Sequence, residues 1–206
     1  MLVCGQPVEG RAAARPHLAR RARCSGARCA AAAIAEAASP VAAAAPPARR
    51  VVAVTGATGF VGSALVASLL ADGATVRVLT RDASSARRKL PQTPPRGSLA
   101  FFEPAQWSEG CRGATAVVNL AGEPITTRWS ESTKAAIMQS RVGATRRVVD
   151  AIRSLPAAER PRVLVSASAV GFYGASQTKR FDERNGMGYD YLAKVCSECA
   201  CATLAL

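Results

Sequence analysis

From residue 50 onward, apolar residues repeat with two different periods. Short apolar or alternating runs predict strands, and apolar residues three or four positions apart predict helices. Strands are predicted at 51–55, 75–80, 100–103, 116–120 and 163–166. Helices are predicted at 60–71, 83–90, 131–154 and 189–206. Strands that alternate with helices predict an α/β fold with a doubly wound, mostly parallel sheet and right-handed connections.

The predicted helix 131–154 is long and amphipathic. Ile137, Ala144, Val148 and Ile152 recur at spacings of seven, four and four. These spacings place the four side chains on one stripe of a helix, so the stripe is predicted to be buried.

Three glycines follow the first strand at a spacing of three, as Gly56, Gly59 and Gly62. A strand, a glycine turn and a helix in that order are typical of the corner of a Rossmann-type fold that grips the diphosphate of a dinucleotide. The turn leaves the strand at Gly56, the backbone approaches the diphosphate at Gly59, and the helix lies close to the sheet at Gly62. Free N–H groups at the helix start then favour an anion. The predicted cofactor-binding residues here are Gly56, Thr58, Gly59, Phe60, Val61 and Gly62.

The end of the second strand bears on the choice of nicotinamide cofactor, because an acidic residue there binds a ribose 2′-hydroxyl and an arginine accommodates a 2′-phosphate. The strand ends with Thr80, Arg81 and Asp82. Arg81 can pair a phosphate with two parallel hydrogen bonds and Thr80 can donate to it, which favours NADP(H) over NAD(H). Two alternatives remain: a shift of one residue would bring Asp82 into the pocket, and a solvated turn would suit either cofactor.

Residues 1–48 differ in composition from the rest and read as a leader. Eight arginines and two acids up to residue 50 supply +6 of the formal net charge of +13. A basic, alanine-rich segment without a strand-like run is typical of an organelle transit peptide, and the alternative is an attached disordered tail. The composition predicts the chloroplast stroma, with the mitochondrion as the alternative. Residues 49–206 are then the nucleotide-binding domain.

The basic charge does not by itself predict nucleic-acid binding. Much of it lies in the leader, and the chain has few aromatic residues to stack on bases. No run approaches the about 20 apolar residues of a membrane span. Cys196, Cys199 and Cys201 lack a nearby fourth ligand, since His17 is the one histidine and lies in the leader. Helix-surface or buried thiols are therefore predicted, rather than a metal site.

Several strings carry a resemblance to a known family. They are 55–62 (TGATGFVG), 78–81 (VLTR), 116–125 (AVVNLAGEPI), 127–130 (TRWS), 140–142 (SRV), 163–174 (VLVSASAVGFYG) and 190–196 (DYLAKVC). With these, the chain from Val51 to about Cys196 resembles the extended and atypical short-chain dehydrogenase/reductases. The resemblance is greatest to the epimerase-family branch called SulA-like, or cell-division-inhibitor-like, whose plant members are chloroplastic.

The resemblance implies roles for residues beyond the glycine loop. Asn119, Leu120, Ala121 and Gly122 match a stretch that holds the adenosine side of the cofactor and supports the nicotinamide ribose. Ser166 and Ser168 match the strand end where the superfamily keeps a hydroxyl that binds the substrate carbonyl, with Ser168 the better match. Ser166 is therefore expected to contact the cofactor.

The superfamily's acid/base pair, Tyr-x-x-x-Lys, is altered in this sequence. Asp190 stands four residues before Lys194, in the place of the tyrosine, and Tyr191 stands three before it. Tyr191 and Tyr173 are the candidate phenols for proton transfer, and the alternative for Tyr191 is core packing with Leu192 and Val195.

Family members continue for about another domain, which supplies the substrate-binding region. This sequence lacks that region, so the alternatives are a fragment and a short nucleotide-binding form. Two functions follow: an NADP(H)-dependent oxidoreductase or epimerase acting on an unknown carbonyl or alcohol, and a non-catalytic dinucleotide-binding regulator linked to organelle division.

Overall fold

The computed structural model describes residues 3–7, 50–91 and 96–206, and within these ranges it contains one six-stranded sheet. The strands, in chain order, are β1 (Val3–Pro7), β2 (Val51–Thr55), β3 (Thr75–Leu79), β4 (Ser98–Phe102), β5 (Ala116–Asn119) and β6 (Val163–Ala167). Their order across the sheet is β1-β6-β5-β2-β3-β4. The pairs among β2 to β6 are all parallel. The fold is the predicted α/β, Rossmann-type sheet.

Strand β1 lies in the segment that was predicted to contain no strand, and for residues 3–7 that prediction is wrong. The backbone of β1 pairs antiparallel with β6, with Val3 opposite Ala167 and Pro7 opposite Val163. Without β1, β6 would be the edge of the sheet and would present unpaired N–H and C=O groups, with which an extended segment can pair. The transit peptide remains a prediction, and the rest of 1–48 lies outside the described residues.

Helices cover both faces of the sheet, as a doubly wound fold requires. They are α1 (Phe60–Ala71), α2 (Ala83–Lys89), α3 (Trp107–Cys111), α4 (Glu131–Met138), α5 (Ala144–Arg153) and α6 (Tyr191–Leu204). One buried cluster joins α1 and α2 to the sheet through Val66, Leu70 and Ala86. A second cluster, on the other face, joins α3 and α5 through Trp107, Val148 and Ile152.

The predicted helix 131–154 is divided by a turn of π-helix at Gln139–Gly143. Ile137, Val148 and Ile152 are buried as predicted, but Ala144 is partly exposed and Thr145 is buried instead. At the wider turn, Val142 and Thr145 take the buried positions, and the predicted stripe resumes at Val148. A π-bulge of this kind is often found at a functional site.

Sequence prediction also missed the short helix α3. The predicted strands and the predicted helices 60–71, 83–90 and 189–206 end within two residues of the observed ends. Within the described ranges, no helix is both long enough and apolar enough to cross a membrane.

The sheet places four loops at one edge, after β2, β3, β5 and β6. The strand order reverses at β2, which pairs with β3 on one side and with β5 on the other. Ligands of such sheets bind beyond the carboxyl ends of the strands at this reversal.

Candidate functional site

The loop from Gly56 to Gly62 is a tight turn in which close backbone contacts require glycine at positions 56 and 62. Gly56 has φ +64°, and a Cβ there would lie 2.6 Å from the carbonyl oxygen of Leu120. A Cβ on Gly62 would lie 2.1 Å from the Gly56 carbonyl oxygen. The turn closes with a hydrogen bond of 3.0 Å from the Gly59 N–H to the Gly56 carbonyl. A larger residue at Gly62 would therefore separate helix α1 from the turn, and one at Gly56 would push away the backbone of the loop after β5.

Helix α1 begins at this loop without a capping side chain. Its N-cap is Gly59, and the first turn contains no acidic residue. The first N–H groups of a helix have no partner within the helix, and the helix dipole makes this end partly positive. The side chain of Phe60 is 97% exposed and that of Val61 is also exposed. Phe60, Val61 and Gly62 can thus offer backbone N–H groups to an anion.

A cavity of about 860 Å³ lies against this loop. Typical small-molecule sites have volumes of about 300–1,000 Å³. The wall is formed by 55–59, 78–81 and 120–124, together with residues of α4, the π-helical turn and α5. Of the predicted cofactor residues, the cavity is lined by Gly56, Thr58, Gly59, Thr80, Arg81, Leu120, Ala121 and Gly122.

Arg81 stands at the rim of the cavity and is mostly exposed. Its Nη1 and Nη2 each lie 3.4 Å from Oε1 of Glu123, a residue of the loop after β5 that also lines the cavity. The Asp82 carboxylate is already engaged, because it caps helix α2 by accepting from the Ser85 N–H at 2.8 Å. The Thr80 hydroxyl bonds the backbone of Asp82. At the end of β3, the Arg81 guanidinium therefore lines the cavity, while the Asp82 carboxylate is engaged as a helix cap.

Asn119 and Ser166, both predicted to contact the cofactor, have buried side chains in a hydrogen-bond network. Asn119 accepts from the Thr55 hydroxyl at 2.6 Å and donates to the hydroxyls of Thr145 at 2.9 Å and Ser166 at 3.2 Å. All four residues are buried. The Thr55 hydroxyl also accepts from the N–H groups of Leu120 and Ala121. The network fixes the loop after β5 rather than offering side chains to a ligand.

The structure does not gather the four predicted catalytic residues in the cavity. Ser168, Tyr173, Tyr191 and Lys194 are absent from its wall. The Tyr191 hydroxyl donates to the backbone carbonyl of Lys134 on α4, and its ring meets Trp129 edge to face at 5.9 Å between centroids. The Lys194 side chain is exposed. In this structure Tyr191 therefore packs between structural elements. Its ring contacts Trp129, which lies outside α6.

Tyr173 and Asp190 also have structural contacts. The Tyr173 ring stacks on Phe181, with centroids 5.4 Å apart. Burial and the nearby acids Glu183 and Asp182 raise the pKa of its phenol. Asp190, which stands where the superfamily has its tyrosine, caps α6 by accepting from the Ala193 N–H at 2.8 Å.

Ser168 is half-buried and contacts α6. Its side chain forms a hydrogen bond with the Cys196 thiol, which also bonds the backbone of Ala169. Burial raises the pKa of Cys196, and it raises that of Cys199 to about 11. Both thiols are therefore protonated near neutral pH. Among the described residues, no three His, Cys, Asp or Glu side chains are placed to hold a metal ion.

Residues 52–205 match the family described as NAD dependent epimerase/dehydratase. The chain belongs to this family. Among curated members, it is 52% identical over 147 residues to the "Epimerase family protein SDR39U1 homolog, chloroplastic" of Arabidopsis thaliana, covering 71% of this chain and 42% of that protein. It is 37% identical over 139 residues to epimerase family protein YfhF of Bacillus subtilis, covering 64% and 42%.

Two solved structures have the same fold over about three quarters of this chain. The human epimerase family protein SDR39U1 (isoform 2) with NADPH superposes with a TM-score of 0.61 at 26% identity, covering 74% of this chain and 48% of that one. MoeE5 in complex with UDP-glucose and NAD superposes with a TM-score of 0.57 at 25% identity, covering 75% and 48%. The chain thus spans less than half the length of these relatives.

Sequence reasoning missed three polar residues that the fold brings to this region of the epimerase/dehydratase domain. Glu123 and Arg147 line the cavity, and Arg141 lies behind its wall at Gly122. Glu123 and Arg141 stand inside the strings that carry the family resemblance. The family resemblance could therefore have identified Glu123 and Arg141 as site residues. It could not have predicted which residues they contact.

Proposed function

We propose that this chain binds NADP(H) in the 860 Å³ cavity, in preference to NAD(H). The observation that carries the proposal is the uncapped start of α1 at the glycine turn, beside a cavity with Arg81 at its rim. A helix N-terminus binds phosphate groups through its free N–H groups and its dipole. The NADPH in the human relative's structure and the NAD in that of MoeE5 support a dinucleotide in this place.

Each part of the cavity has a proposed partner on the dinucleotide. The backbone of Gly56, Thr58, Gly59, Phe60, Val61 and Gly62 holds the diphosphate. Arg81 and Thr80 hold the 2′-phosphate, since a guanidinium pairs a phosphate with two hydrogen bonds. The backbone of Leu120, Ala121 and Gly122 forms the opposite wall. Asn119 and Ser166 position that wall from behind, through the buried network with Thr55.

We further propose that the full-length protein is an oxidoreductase or epimerase acting on a carbonyl or alcohol of unknown identity. The dinucleotide supplies hydride chemistry when it is bound. Ser168, at the end of β6, is proposed to donate a hydrogen bond to the substrate carbonyl. Tyr191 or Tyr173 is proposed to transfer the proton, and Lys194 to assist it. For Tyr191 this requires its hydroxyl to leave the Lys134 carbonyl.

A second function is favoured by the contacts of Tyr191 and Asp190. A general acid must reach the reacting group within hydrogen-bond distance, while the Tyr191 hydroxyl and the Asp190 carboxylate both bond protein backbone here. These contacts support a non-catalytic dinucleotide-binding regulator. The resemblance to the SulA-like branch suggests a link of that regulator to organelle division.

The proposed location is the chloroplast stroma, with the mitochondrion as the alternative. The arginine-rich composition of 1–48 supports an organelle. The chloroplastic relative from Arabidopsis thaliana supports the chloroplast.

Calorimetric titration of the 206-residue chain with NADPH and NADH tests the cofactor proposal. NADPH is expected to bind more tightly, and Arg81→Met to weaken NADPH about 10- to 100-fold while leaving NADH unchanged, because a hydrogen bond to a charged group contributes about 1.5–3 kcal/mol. Arg88→Met, which removes an exposed arginine on α2, is the matched control. Equal affinities for the two cofactors, unaffected by Arg81→Met, would contradict the preference.

Oxidation of NADPH with a panel of aldehydes and ketones separates the two functions. Turnover that is lost in Ser168→Ala supports the enzyme. Tight NADPH binding without turnover, also in a chain extended to the length of the relatives, supports the regulator.

A further inference from the structure

Arg147 lies on the face of helix α5 that borders the cavity. Ala144 and Arg147, three residues apart on α5, both line the wall. Gln139 and Ser140 of the preceding π-helical turn line it as well, so the N-terminal end of α5 is the end at the cavity. Side chains of a helix tilt toward its N-terminus. Arg147 is also exposed, so a ligand in the cavity can reach its guanidinium.

The packing of α5 places Arg147 on the side of the cavity where β3 ends. Val148, the next residue, belongs to one buried cluster with Leu79 and Trp107. Leu79 and Trp107 also line the cavity. Leu79 is the last residue of β3 and stands two positions before Arg81. The cavity therefore has a second arginine on its β3 side, contributed by an element that is distant in the sequence.

The charged side chains of the cavity wall do not cancel. Among the described residues they are Arg81, Glu123 and Arg147. Arg81 pairs with Glu123 at 3.4 Å. Within the described ranges no ion pair includes Arg147, and Asp150, on the next turn of α5, is not within ion-pair distance of it. The wall therefore carries an excess positive charge, and Arg147 supplies it.

Arg146, the neighbour of Arg147 on α5, differs from it in two respects. It pairs with Glu198 at 3.8 Å, and it is not part of the cavity wall. Both arginines are exposed and lie on the same turn of the helix. The two neighbours therefore distinguish a charge in the cavity wall from a charge on the surface of α5.

We propose that Arg147 is a second determinant of cofactor choice, because its unpaired charge attracts the additional negative charge of NADP(H). The inference rests on the proposed binding of a dinucleotide in this cavity. A phosphate monoester adds about 1.5 to 2 negative charges near neutral pH, and the 2′-phosphate adds these to the charges of the diphosphate. A cleft with an excess of one charge concentrates ligands of the opposite charge. Arg147 thus strengthens the binding of both cofactors, and that of NADP(H) more.

This effect differs from the one proposed for Arg81. Arg81 is proposed to contact the 2′-phosphate, which NADH lacks, so its loss weakens NADPH alone. Arg147 acts through its charge on the whole ligand, so its loss weakens both cofactors in proportion to their charge. The ratio of the two losses therefore identifies which effect is at work.

Calorimetric titration of the 206-residue chain with NADPH and NADH at two salt concentrations tests the inference. At about 0.1 M NaCl, Arg147→Met is expected to weaken NADPH about five- to tenfold and NADH about two- to threefold. At about 1 M NaCl the screening length falls from about 10 Å to about 3 Å, and both losses should shrink to less than about twofold.

Three further variants assign the effect to the charge at this position. Arg147→Lys keeps the charge and should keep most of the affinity. Arg147→Glu makes the wall negative and should weaken NADPH more than Arg147→Met does. Arg146→Met is the matched control and should stay within about twofold of the wild type, because that charge is outside the wall and is paired. Since both residues are exposed, each variant should keep the Tm without cofactor within about 2 °C.

The inference would be overturned by unchanged affinities in Arg147→Met, or by equal losses in Arg146→Met and Arg147→Met. It would also be overturned by a loss that is equal for NADPH and NADH, or that persists at about 1 M NaCl, since either result means a direct contact and not a charge effect. If the wild-type chain binds neither cofactor, the proposed function fails and this inference fails with it. If binding does not depend on Arg147, this inference fails alone.

Discussion

Glu123 lies 3.4 Å from Arg81, across the mouth of the cavity, from a loop that follows a different strand. The side chains are 79% exposed for Arg81 and 42% exposed for Glu123, so the pair itself adds little stability. Its importance is electrostatic and concerns the ligand. A 2′-phosphate that binds Arg81 must approach the Glu123 carboxylate or displace it.

Glu123→Gln is therefore expected to tighten NADPH binding about fivefold, because repulsion between like charges in a solvated site is about 1 kcal/mol. NADH, which carries no 2′-phosphate, should change less. Isothermal titration calorimetry of both cofactors measures the two effects. Glu131→Gln makes the same charge change at a residue paired with Lys134 and should leave both affinities unchanged. An equal gain for NADH and NADPH would show that Glu123 does not act on the 2′-phosphate.

Gly59→Ala and Gly62→Ala should separate cofactor binding from folding. A Cβ on Gly62 would lie 2.1 Å from the Gly56 carbonyl oxygen and 2.8 Å from the Ala57 Cα. Overpacking of this kind costs about 1–3 kcal/mol, so Gly62→Ala is expected to lower both stability and NADPH affinity. At Gly59 the nearest atom would be 3.3 Å away and the backbone is extended.

Gly59→Ala should then change the unfolding free energy by less than about 1 kcal/mol while weakening NADPH at least about tenfold, since the methyl group blocks close approach of the diphosphate. Urea denaturation and NADPH titration of both variants measure these effects. Unchanged NADPH affinity in Gly59→Ala would place the diphosphate elsewhere.

Thr55→Val tests the buried network behind the loop after β5. Valine has the same shape but leaves the Asn119 Oδ1 and the Ala121 N–H without the Thr55 hydroxyl. Unsatisfied buried groups cost about 1–3 kcal/mol each, so a loss of about 2–3 kcal/mol and a Tm lower by about 4–12 °C are expected. Thr55→Ser keeps the hydroxyl and should lose less. A Thr55→Val variant as stable as Thr55→Ser would mean that the network adds no stability.

The buried thiol of Cys111 should make stability fall at alkaline pH. Burial raises the pKa of this thiol from 9.0 to about 12. The unfolded chain therefore loses the thiol proton first, and stability declines as the pH rises above 9.0 toward the folded pKa. Between pH 8 and pH 10, the titration of Cys111 is expected to lower the free energy of unfolding by about 1.4 kcal/mol.

Urea denaturation gives the unfolding free energy of the wild type and of Cys111→Ala at pH 8 and at pH 10. The contributions of the other titrating groups cancel when the pH-dependent loss is compared between the two proteins. Cys111→Ala should be less stable at pH 8, because it leaves a cavity, but should lose about 1.4 kcal/mol less on going to pH 10. Equal losses in both proteins would contradict a buried, protonated Cys111.

Much of this fold follows from local sequence patterns. The alternation of apolar runs identified strands β2 to β6 and most helices, and the glycine spacing located the turn at the start of α1. These features depend on residues near each other in the chain. The π-helical turn was missed because a helix with one extra residue per turn has the same local composition as an α-helix, and only the exchange of Ala144 for Thr145 in the core reveals it.

The side-chain partners in the site could not be predicted, because they come from distant parts of the chain. Asn119 matched a cofactor-binding string, but its burial depends on Thr55, Thr145 and Ser166 meeting it from three other elements. Tyr191 and Lys194 lie on one helix, yet the Tyr191 hydroxyl bonds a carbonyl of α4. Pairing across elements is set by the tertiary fold and not by spacing.

A crystal structure of the 206-residue chain grown with NADPH tests the central claim most directly. The account predicts the diphosphate within hydrogen-bond distance of backbone N–H groups between Gly59 and Gly62, with the 2′-phosphate beside Arg81. An empty cavity at saturating NADPH, or NADPH bound away from this turn, would contradict it.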